Sequence, residues 1–351
     1  MCTDTVMYLR LLRRYIQPNI TEGIATRRTN LLWITAVVIV AVGSVAGTTV
    51  YIRAFSKERL MVSTTTSLFD TGLLDVIEDE FESKYPIDLN FISVGTGLAI
   101  THARRGDADL ILVHSPTQEH EFLTEGYGLC RKIIAYNYFA IVGPEEDSAE
   151  IHGLSDASQA LSRIVEAGRN QQATWISRGD DSGTHTKEKQ LWTKAGYDWT
   201  LIRDEAWYQE ASAGMGGTLK TANQFHAYTL TDMGTYLAYH KEGIITLKPH
   251  VTQGEQLLNV YSAIATNRTL HPNANFDTAI TFIKYLISPE GQQIIADYGK
   301  DQYGQSLFNP AVQLLTQNTD PLTAQWIEDY AFFDGYECPP QYRDDYPELY
   351  Q

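Results

Sequence analysis

Residues 177–186 gather the side chains of this chain that are best suited to bind an anion. They read Ser-Arg-Gly-Asp-Asp-Ser-Gly-Thr-His-Thr, which combines one fixed cation with four hydroxyls and two glycines. The guanidinium of Arg178 is a planar fork of N–H donors that stays protonated, and hydroxyls add neutral donors. Glycines let backbone N–H groups approach an anion closely. The segment predicts an oxyanion site that uses Arg178, Ser182 and Thr184. The alternative is an ion pair of Arg178 with Asp180 or Asp181.

Further hydroxyls stand where predicted strands end. Residues 63–67 read Ser-Thr-Thr-Thr-Ser, residues 95–97 read Gly-Thr-Gly around Thr96, and Ser115 follows a third strand. A helix that begins at such a junction presents free N–H groups, and these suit an anion. Ordinary helix capping by Ser67 or Asp70, and tight turns at the other two junctions, explain the same residues. Both interpretations stay open on these residues alone.

An enzyme is a third interpretation of the 177–186 segment. Ser182 as nucleophile, His185 as base and a neighbouring aspartate would resemble a hydrolase triad. The two side chains are only three positions apart near a helix start, however, and no Gly-x-Ser-x-Gly motif is present. The chain has no Walker-type loop and no Cys/His spacing typical of zinc. We interpret His114 and His185 as structural or solvent-facing.

The elements around these residues alternate between strand and helix. Period-two and buried apolar runs predict strands, and apolar residues at helical spacing predict helices. Strand, polar turn, helix and strand in succession is the pattern of a parallel sheet, in which ligands lie beyond the carboxyl ends of the strands. We predict strands at 59–64, 87–94, 108–113, 138–142, 173–176 and 256–266, and helices at 73–85, 97–105, 158–170, 186–195, 277–286 and 289–299.

The N-terminal part differs from the rest. Residues 31–52 run for 22 positions without a charge, which at ~1.5 Å per residue is long enough to cross a bilayer. Five arginines precede this stretch and three basic residues follow it, which favours a cytoplasmic N-terminus. We predict a cytoplasmic segment at 1–30, a transmembrane anchor or uncleaved signal at 31–52, and an extracytoplasmic remainder at the cell membrane.

The remainder is strongly acidic. Residues 60–351 hold 19 Lys+Arg against 40 Asp+Glu, a net charge of −21. Such a surface excludes nucleic acid as a partner, because binding to phosphates needs basic patches. Cysteine is sparse, and Cys130 and Cys338 could pair outside the cell, although the sequence does not tell whether they are close.

Several motifs, taken in order, resemble the extracytoplasmic tungstate-binding proteins of ABC importers, relatives of molybdate- and sulfate-binding proteins. The motifs cover roughly residues 60–310. They lie at 63–74 (Ser-Thr-Thr-Thr-Ser-Leu-Phe-Asp-Thr-Gly-Leu-Leu), 94–97, 103–109, 112–116, 126–128, 141–144, 177–185, 214–216 and 228–232. The resemblance implies a type II periplasmic-binding-protein fold: an α/β architecture of two lobes with a hinge, here preceded by the N-terminal transmembrane helix. We expect lobe 1 to comprise 60–142 and 256–351, and lobe 2 to comprise 143–255.

The resemblance also implies the ligand set and the partners. Residues that match the family's ligands for tungstate or molybdate are Thr65, Ser67, Thr96, Ser115, Arg178, Ser182 and Thr184. Thr66, Met215, Gly216 and Thr231 would contact the anion less directly, and Met233 stands where many relatives carry arginine. The implied partners are an ABC permease and its separate ATPase subunit. No cofactor and no catalysis are implied.

Two other binding roles stay open on the sequence. A phosphate- or sulfate-binding protein is one, because Asp180 or Asp181 could accept the proton of a hydrogen phosphate. A membrane-tethered sensor lobe is the other, but the sequence contains no second membrane segment and no signalling domain.

Overall fold

The computed structural model describes residues 57–252 and 254–351, and residues 58–351 form one compact unit. The architecture is α/β, with one curled eight-stranded sheet in the order β10-β4-β9-β3-β1-β2, onto which β7 and β8 pair along β4. A two-stranded sheet joins β5 and β6. The strands are β1 (Glu58–Thr65), β2 (Ile87–Val94), β3 (Leu110–Val113), β4 (Gly128–Gly143), β5 (Trp175–Ser177), β6 (Tyr208–Glu210), β7 (Thr229–Asp232), β8 (Lys248–Val251), β9 (Leu258–Thr266) and β10 (Asn309–Pro310).

Helices connect the strands and cover the sheet. Those predicted from periodicity at 73–85, 97–105, 158–170, 186–195, 277–286 and 289–299 are present, with ends shifted by a few residues. The helices are α1 (Thr66–Phe69), α2 (Leu73–Lys84), α3 (Thr96–Arg105), α4 (Pro116–Thr124), α5 (Ala157–Arg169), α6 (Gly183–Lys194), α7 (Trp199–Ile202), α8 (Met215–Phe225), α9 (Met233–Lys241), α10 (Phe276–Ile287), α11 (Pro289–Asp297), α12 (Lys300–Tyr303), α13 (Val312–Gln317) and α14 (Pro321–Ala331).

Strand β4 is the long element that joins the two parts of the sheet. Its first half pairs with β9 and β10, and its second half pairs with β7 and β8. Within β4 the sequence predicts strand only at 138–142, and the preceding residues include the charged Arg131 and Lys132. Both side chains are buried nonetheless, and Glu119 and Glu337 pair with them at 2.8 Å.

The buried apolar residues divide along β4. Three clusters draw on residues up to 135 and from 258 onwards. Two others draw on residues 139–257. The lobe boundaries at 142/143 and 255/256 stay a prediction, since residues 58–351 form a single compact unit.

The predicted membrane span at 31–52 lies outside the described residues. Within 57–252 and 254–351, no helix has the length and apolar character needed to cross a bilayer.

The two cysteines of the described chain do not form a disulfide. Cys130 and Cys338 are both free and buried, and the Cys130 thiol donates to the carbonyl of Arg343 at 3.2 Å. The tail beyond residue 320 is packed against the sheet: Arg131 donates to the Glu337 carbonyl at 2.6 Å, and the Tyr350 hydroxyl donates to the Arg131 carbonyl at 3.0 Å.

Candidate oxyanion site

Three parallel strands bring separate hydroxyl loops to one edge of the sheet. β1 pairs in parallel with β2 and with β3, in a register that aligns Thr65 with Val94 and Thr64 with Leu112. The chain therefore leaves all three strands at the same edge, immediately before α1, α3 and α4. This is the placement expected for a ligand site in a parallel sheet.

Three helices that begin beside the candidate site, α3 and α4 at this edge and α8 opposite Thr66, leave their first N–H groups uncapped by side chains. α3 begins after Gly95, α4 after Ser115 and α8 after Gly214, and none of these residues caps its helix. By contrast, Asp156 and Ser288 cap α5 and α11 with their side chains. Free N–H groups and the positive end of the helix dipole favour an anion.

Arg178 lies at the centre of the candidate site. It follows β5 directly and is only 2% exposed. One Nη donates to Thr66 Oγ1 at 3.1 Å, 112 residues earlier in the chain, and the other lies 3.5 Å from Thr184 Oγ1. The two predicted hydroxyl clusters therefore meet at the guanidinium.

The predicted alternative for Arg178 is also partly present. Its Nε donates to Asp180 Oδ2 at 2.9 Å, and Asp180 Oδ1 accepts from the Ser182 backbone N–H at 3.2 Å. Asp181 is directed to solvent and pairs with Lys189 at 2.7 Å, and that hydrogen bond lowers the pKa of Asp181. The ion pair is thus formed through Nε, on a buried arginine, while both Nη groups face hydroxyls.

Thr96 carries a buried hydroxyl without a partner. The residue is fully buried, and no group within the described residues forms a hydrogen bond with its Oγ1. It lies beside the start of α6, where a Cβ added to Gly183 would be 3.0 Å from Thr96 Oγ1 and 2.9 Å from the ring of His114. An orphaned buried donor is costly, at roughly 1–3 kcal/mol. This hydroxyl therefore suits a ligand between α3 and α6.

Thr65 and Ser67 form a short hydrogen-bonded chain with His114. Thr65 Oγ1 lies 3.2 Å from Ser67 Oγ, which lies 3.3 Å from His114 Nε2. The other ring nitrogen of His114 contacts Asn259 Oδ1 at 2.8 Å. His114 is 1% exposed, so of the two predicted alternatives, structural or solvent-facing, the solvent-facing one does not hold. Burial lowers the pKa of His114 to about 4.

The remaining residues that were predicted to contact the anion bond to, or pack against, groups other than Arg178. Ser115 is buried, and its backbone N–H donates to Glu119. Met215 packs in an apolar cluster, Gly216 lies under the Tyr239 hydroxyl, and the Thr231 hydroxyl donates to the Asp232 carbonyl. Within the described residues, no hydrogen bond joins any of these side chains to Arg178.

Ser182 lacks the geometry of a nucleophile. Its Oγ caps α6 by accepting from the His185 backbone N–H at 3.2 Å. His185 Nδ1 accepts from the Asp181 backbone N–H at 3.0 Å, and burial lowers the pKa of His185 to about 4. No hydrogen bond joins the two side chains within the part of the chain that the structure describes.

Sequence reasoning missed the polar residues behind the cleft. Asn137, Asn259 and Tyr261 are buried and bonded to one another, and Asp232 caps α9. The one signal was the presence of Asn259 in a strand of mainly apolar residues. Burial raises the pKa of Asp232 to about 6. No group of three or more metal-ligating side chains occurs among the described residues.

Comparison with known proteins agrees with this arrangement. The model of the PBP superfamily domain matches residues 41–290. The chain is 39% identical over 257 residues to the tungstate-binding protein TupA of Peptoclostridium acidaminophilum, covering 73% of this chain and 86% of that protein.

Two solved structures are also similar. That of the tungstate ABC transporter from Geobacter sulfurreducens is 43% identical with a TM-score of 0.62, over 69% of this chain and 99% of that one. That of the tungstate-binding protein TupA from Desulfovibrio alaskensis G20 is 37% identical with a TM-score of 0.61, over 72% and 98%. The chain therefore belongs to the PBP superfamily, in the group represented by these tungstate-binding proteins.

Proposed function

We propose that this protein is an extracytoplasmic solute-binding protein that captures tungstate, or molybdate, and delivers it to an ABC permease. The observation that carries the proposal is the buried guanidinium of Arg178, whose two Nη groups face Thr66 and Thr184 from opposite sides of the candidate site. The names of the related proteins support the same ligand. No catalytic step belongs to this role.

The donor set suits an unprotonated tetrahedral dianion. Hydroxyls, uncapped helix starts and the arginine fork all donate, and charge-assisted bonds are the strongest of these. Both oxygens of Asp180 already accept protein N–H groups, and Asp181 faces solvent. Neither carboxylate is therefore placed to accept the proton of a hydrogen phosphate, which argues against the phosphate alternative.

Binding would hold the two predicted lobes together. Thr66 and Ser67 belong to predicted lobe 1, whereas Arg178 and Thr235 belong to predicted lobe 2. These residues are joined by the Arg178–Thr66 bond and by a contact of 3.4 Å from Thr235 Oγ1 to the Ser67 carbonyl. An anion that contacts both sides shifts the population toward this closed arrangement. The closed form is then the one recognised by the permease, whose separate ATPase drives transport.

The cellular placement follows from the sequence and the relatives together. We propose that the binding unit lies outside the cytoplasm and that residues 31–52 anchor it to the cell membrane. The support for the anchor is the uncharged run of 22 residues and the excess of arginine before it.

Calorimetric titration of the purified full-length protein tests the ligand. We expect heat of binding with tungstate and molybdate, and weak or no binding of sulfate and phosphate. Arg178→Ala removes at least one charge-assisted hydrogen bond to the anion, which is worth about 1.5–3 kcal/mol. Tungstate binding should therefore weaken about 10- to 150-fold or more.

Arg169→Ala is the matched control for that variant. Arg169 is exposed and bonded to Glu205 on the surface, so its loss should leave tungstate binding unchanged. Tungstate binding that survives Arg178→Ala intact would remove Arg178 from the site. Phosphate binding tighter than tungstate binding would replace the proposed ligand.

A further inference from the structure

A buried chain of hydrogen bonds behind the cleft has a donor-to-acceptor direction that a backbone carbonyl at one end fixes. The chain starts at the backbone carbonyl of Leu307, which can only accept, and which receives the amide of Asn137 at 3.3 Å. Asn137 therefore presents its carbonyl oxygen to Asn259, whose amide nitrogen donates to it at 2.8 Å and to the Tyr261 hydroxyl at 2.9 Å. The orientation of both asparagines follows from one carbonyl.

This direction determines the tautomer of His114. Since Asn259 uses its nitrogen elsewhere, its Oδ1 faces His114 Nδ1 at 2.8 Å and must accept, so Nδ1 carries the proton. Burial lowers the pKa of His114 to about 4, and the ring is therefore neutral near pH 7. Nε2 then has a free lone pair, and Ser67 Oγ at 3.3 Å must donate its proton to it.

The Ser67 hydroxyl is consequently turned away from an anion in this state. Ser67 can accept from Thr65, 3.2 Å away, but its own proton is committed to His114. Protonation of Nε2 would reverse the contact, because the ring would then donate to Ser67. Ser67 would be released to donate to the anion, directly or through Thr65.

The charges around the cleft favour this change when a dianion arrives. The fixed cation there is Arg178, and it is already paired with Asp180 at 2.9 Å and influenced by the buried Asp232. A dianion would therefore be incompletely neutralised in a buried site. A positive charge on the His114 ring, which the Ser67 hydroxyl separates from the anion, would reduce that imbalance.

We propose that His114 takes up one proton from solvent when the oxyanion binds and thereby turns the Ser67 hydroxyl into a ligand donor. His114 acts as a positioning residue, through Ser67, and the inference rests on the proposed oxyanion function. The charged and titratable groups near it are Arg178, which stays protonated, together with Asp232 and Tyr261. Asp232 is the group that could take up the proton instead.

Calorimetry in pairs of buffers with different ionisation enthalpies measures this proton directly. We expect tungstate binding by the full-length protein to take up close to one proton at pH 6.5 and almost none at pH 8.5. The affinity for tungstate should fall by up to tenfold for each unit by which the pH rises, over the range in which binding takes up a proton. His114→Gln, whose amide can donate to Ser67 at every pH, should bind tungstate without proton uptake, whereas Asp232→Asn should keep the uptake.

Nitrogen-15 NMR of the wild-type histidines provides a test that does not depend on the folding of a variant. The free protein should have His114 protonated at Nδ1 alone, and the tungstate-bound protein should have both ring nitrogens protonated. Tungstate binding with no proton uptake at pH 6.5, uptake that survives His114→Gln, or a ring that stays neutral when bound would each overturn the inference. Absence of tungstate binding at any pH would instead overturn the proposed function.

Discussion

Two buried polar regions of this protein differ in how far their groups satisfy one another. Around β4, the Arg131–Glu119 and Lys132–Glu337 pairs are buried and bonded at 2.8 Å, and Glu337 also accepts from the Ile133 backbone N–H at 2.6 Å. In the cleft, the Thr96 hydroxyl has no partner among the described residues, and three helix starts lack side-chain caps.

The difference teaches that buried polarity by itself does not identify a binding site. The charges near β4 are paired because α4 supplies Glu119 to Arg131 and the tail supplies Glu337 to Lys132, and only one Nη of Arg131 is left without a partner among the described residues. Such a cluster is expected to hold the fold together. The cleft retains donors that the protein does not use. Several unused donors gathered at one place, rather than the number of polar groups, indicate an anion.

The largest expected effect is the loss of stability when one of the buried ion pairs near β4 is removed. Glu337→Ala leaves the buried Lys132 ammonium without its carboxylate, which should lower the free energy of unfolding by about 3–5 kcal/mol. Urea denaturation measures the loss, and tungstate affinity of the folded variant should change by less than about twofold. Glu328→Ala, an exposed carboxylate on α14, is the control. Equal stability of the two variants would contradict a structural role for the Glu337 pair.

The next effect concerns closure of the cleft. A Cβ at Gly183 would lie 2.9 Å from the His114 ring and 3.0 Å from Thr96 Oγ1, so Gly183→Ala should keep the predicted lobes apart. We expect tungstate affinity, measured by calorimetry, to fall roughly 10- to 100-fold, or about 1.4–2.8 kcal/mol. Stability should not fall, because alanine favours a helix over glycine.

Gly97→Ala is the matched substitution, since its Cβ would lie 3.6 Å from the nearest atom, an ordinary contact. Its effect on affinity should be smaller than that of Gly183→Ala. A larger loss of affinity with Gly97→Ala would contradict a close contact between the predicted lobes at Gly183.

The third effect separates stability from binding at one hydroxyl. Thr96→Val removes a buried donor that has no partner while keeping the shape, so the free energy of unfolding should rise by about 1 kcal/mol. Tungstate affinity should fall about tenfold. Thr64→Val should behave in the opposite way, losing about 1 kcal/mol of stability at unchanged affinity, because Thr64 donates to the Leu112 carbonyl at 3.2 Å. Urea denaturation and calorimetry on both variants check this crossed result.

The last prediction concerns Lys187, a buried charge that belongs to neither region. Lys187 is 5% exposed, its ammonium lies 3.9 Å from the centre of the Tyr330 ring, and burial lowers its pKa to about 7. The unfolded chain, with an ordinary lysine pKa of about 10.4, then binds more protons between pH 7 and 10, so stability should rise with pH across that window. The rise is at most about 1.4 kcal/mol per pH unit.

Urea denaturation at pH 7 and 8 measures this slope. Lys187→Met should abolish it, and Lys220→Met, which removes an exposed lysine on α8, should keep it. A slope that is the same in both variants would assign the pH dependence to another group.

The sequence alone determined where the hydroxyl loops and most of the helices lie. Periodicity and turn residues act over a few positions, so the strand ends before Thr66 and Thr96 and the start of α6 could be read from local order. The motif order also identified the family. Whether Arg178 reaches Thr66, how long β4 runs, and which way the Ser67 proton points were decided only by the tertiary structure. Those features depend on partners more than a hundred residues away, such as Glu337 for Lys132 and Asn259 for His114, and no local pattern specifies them.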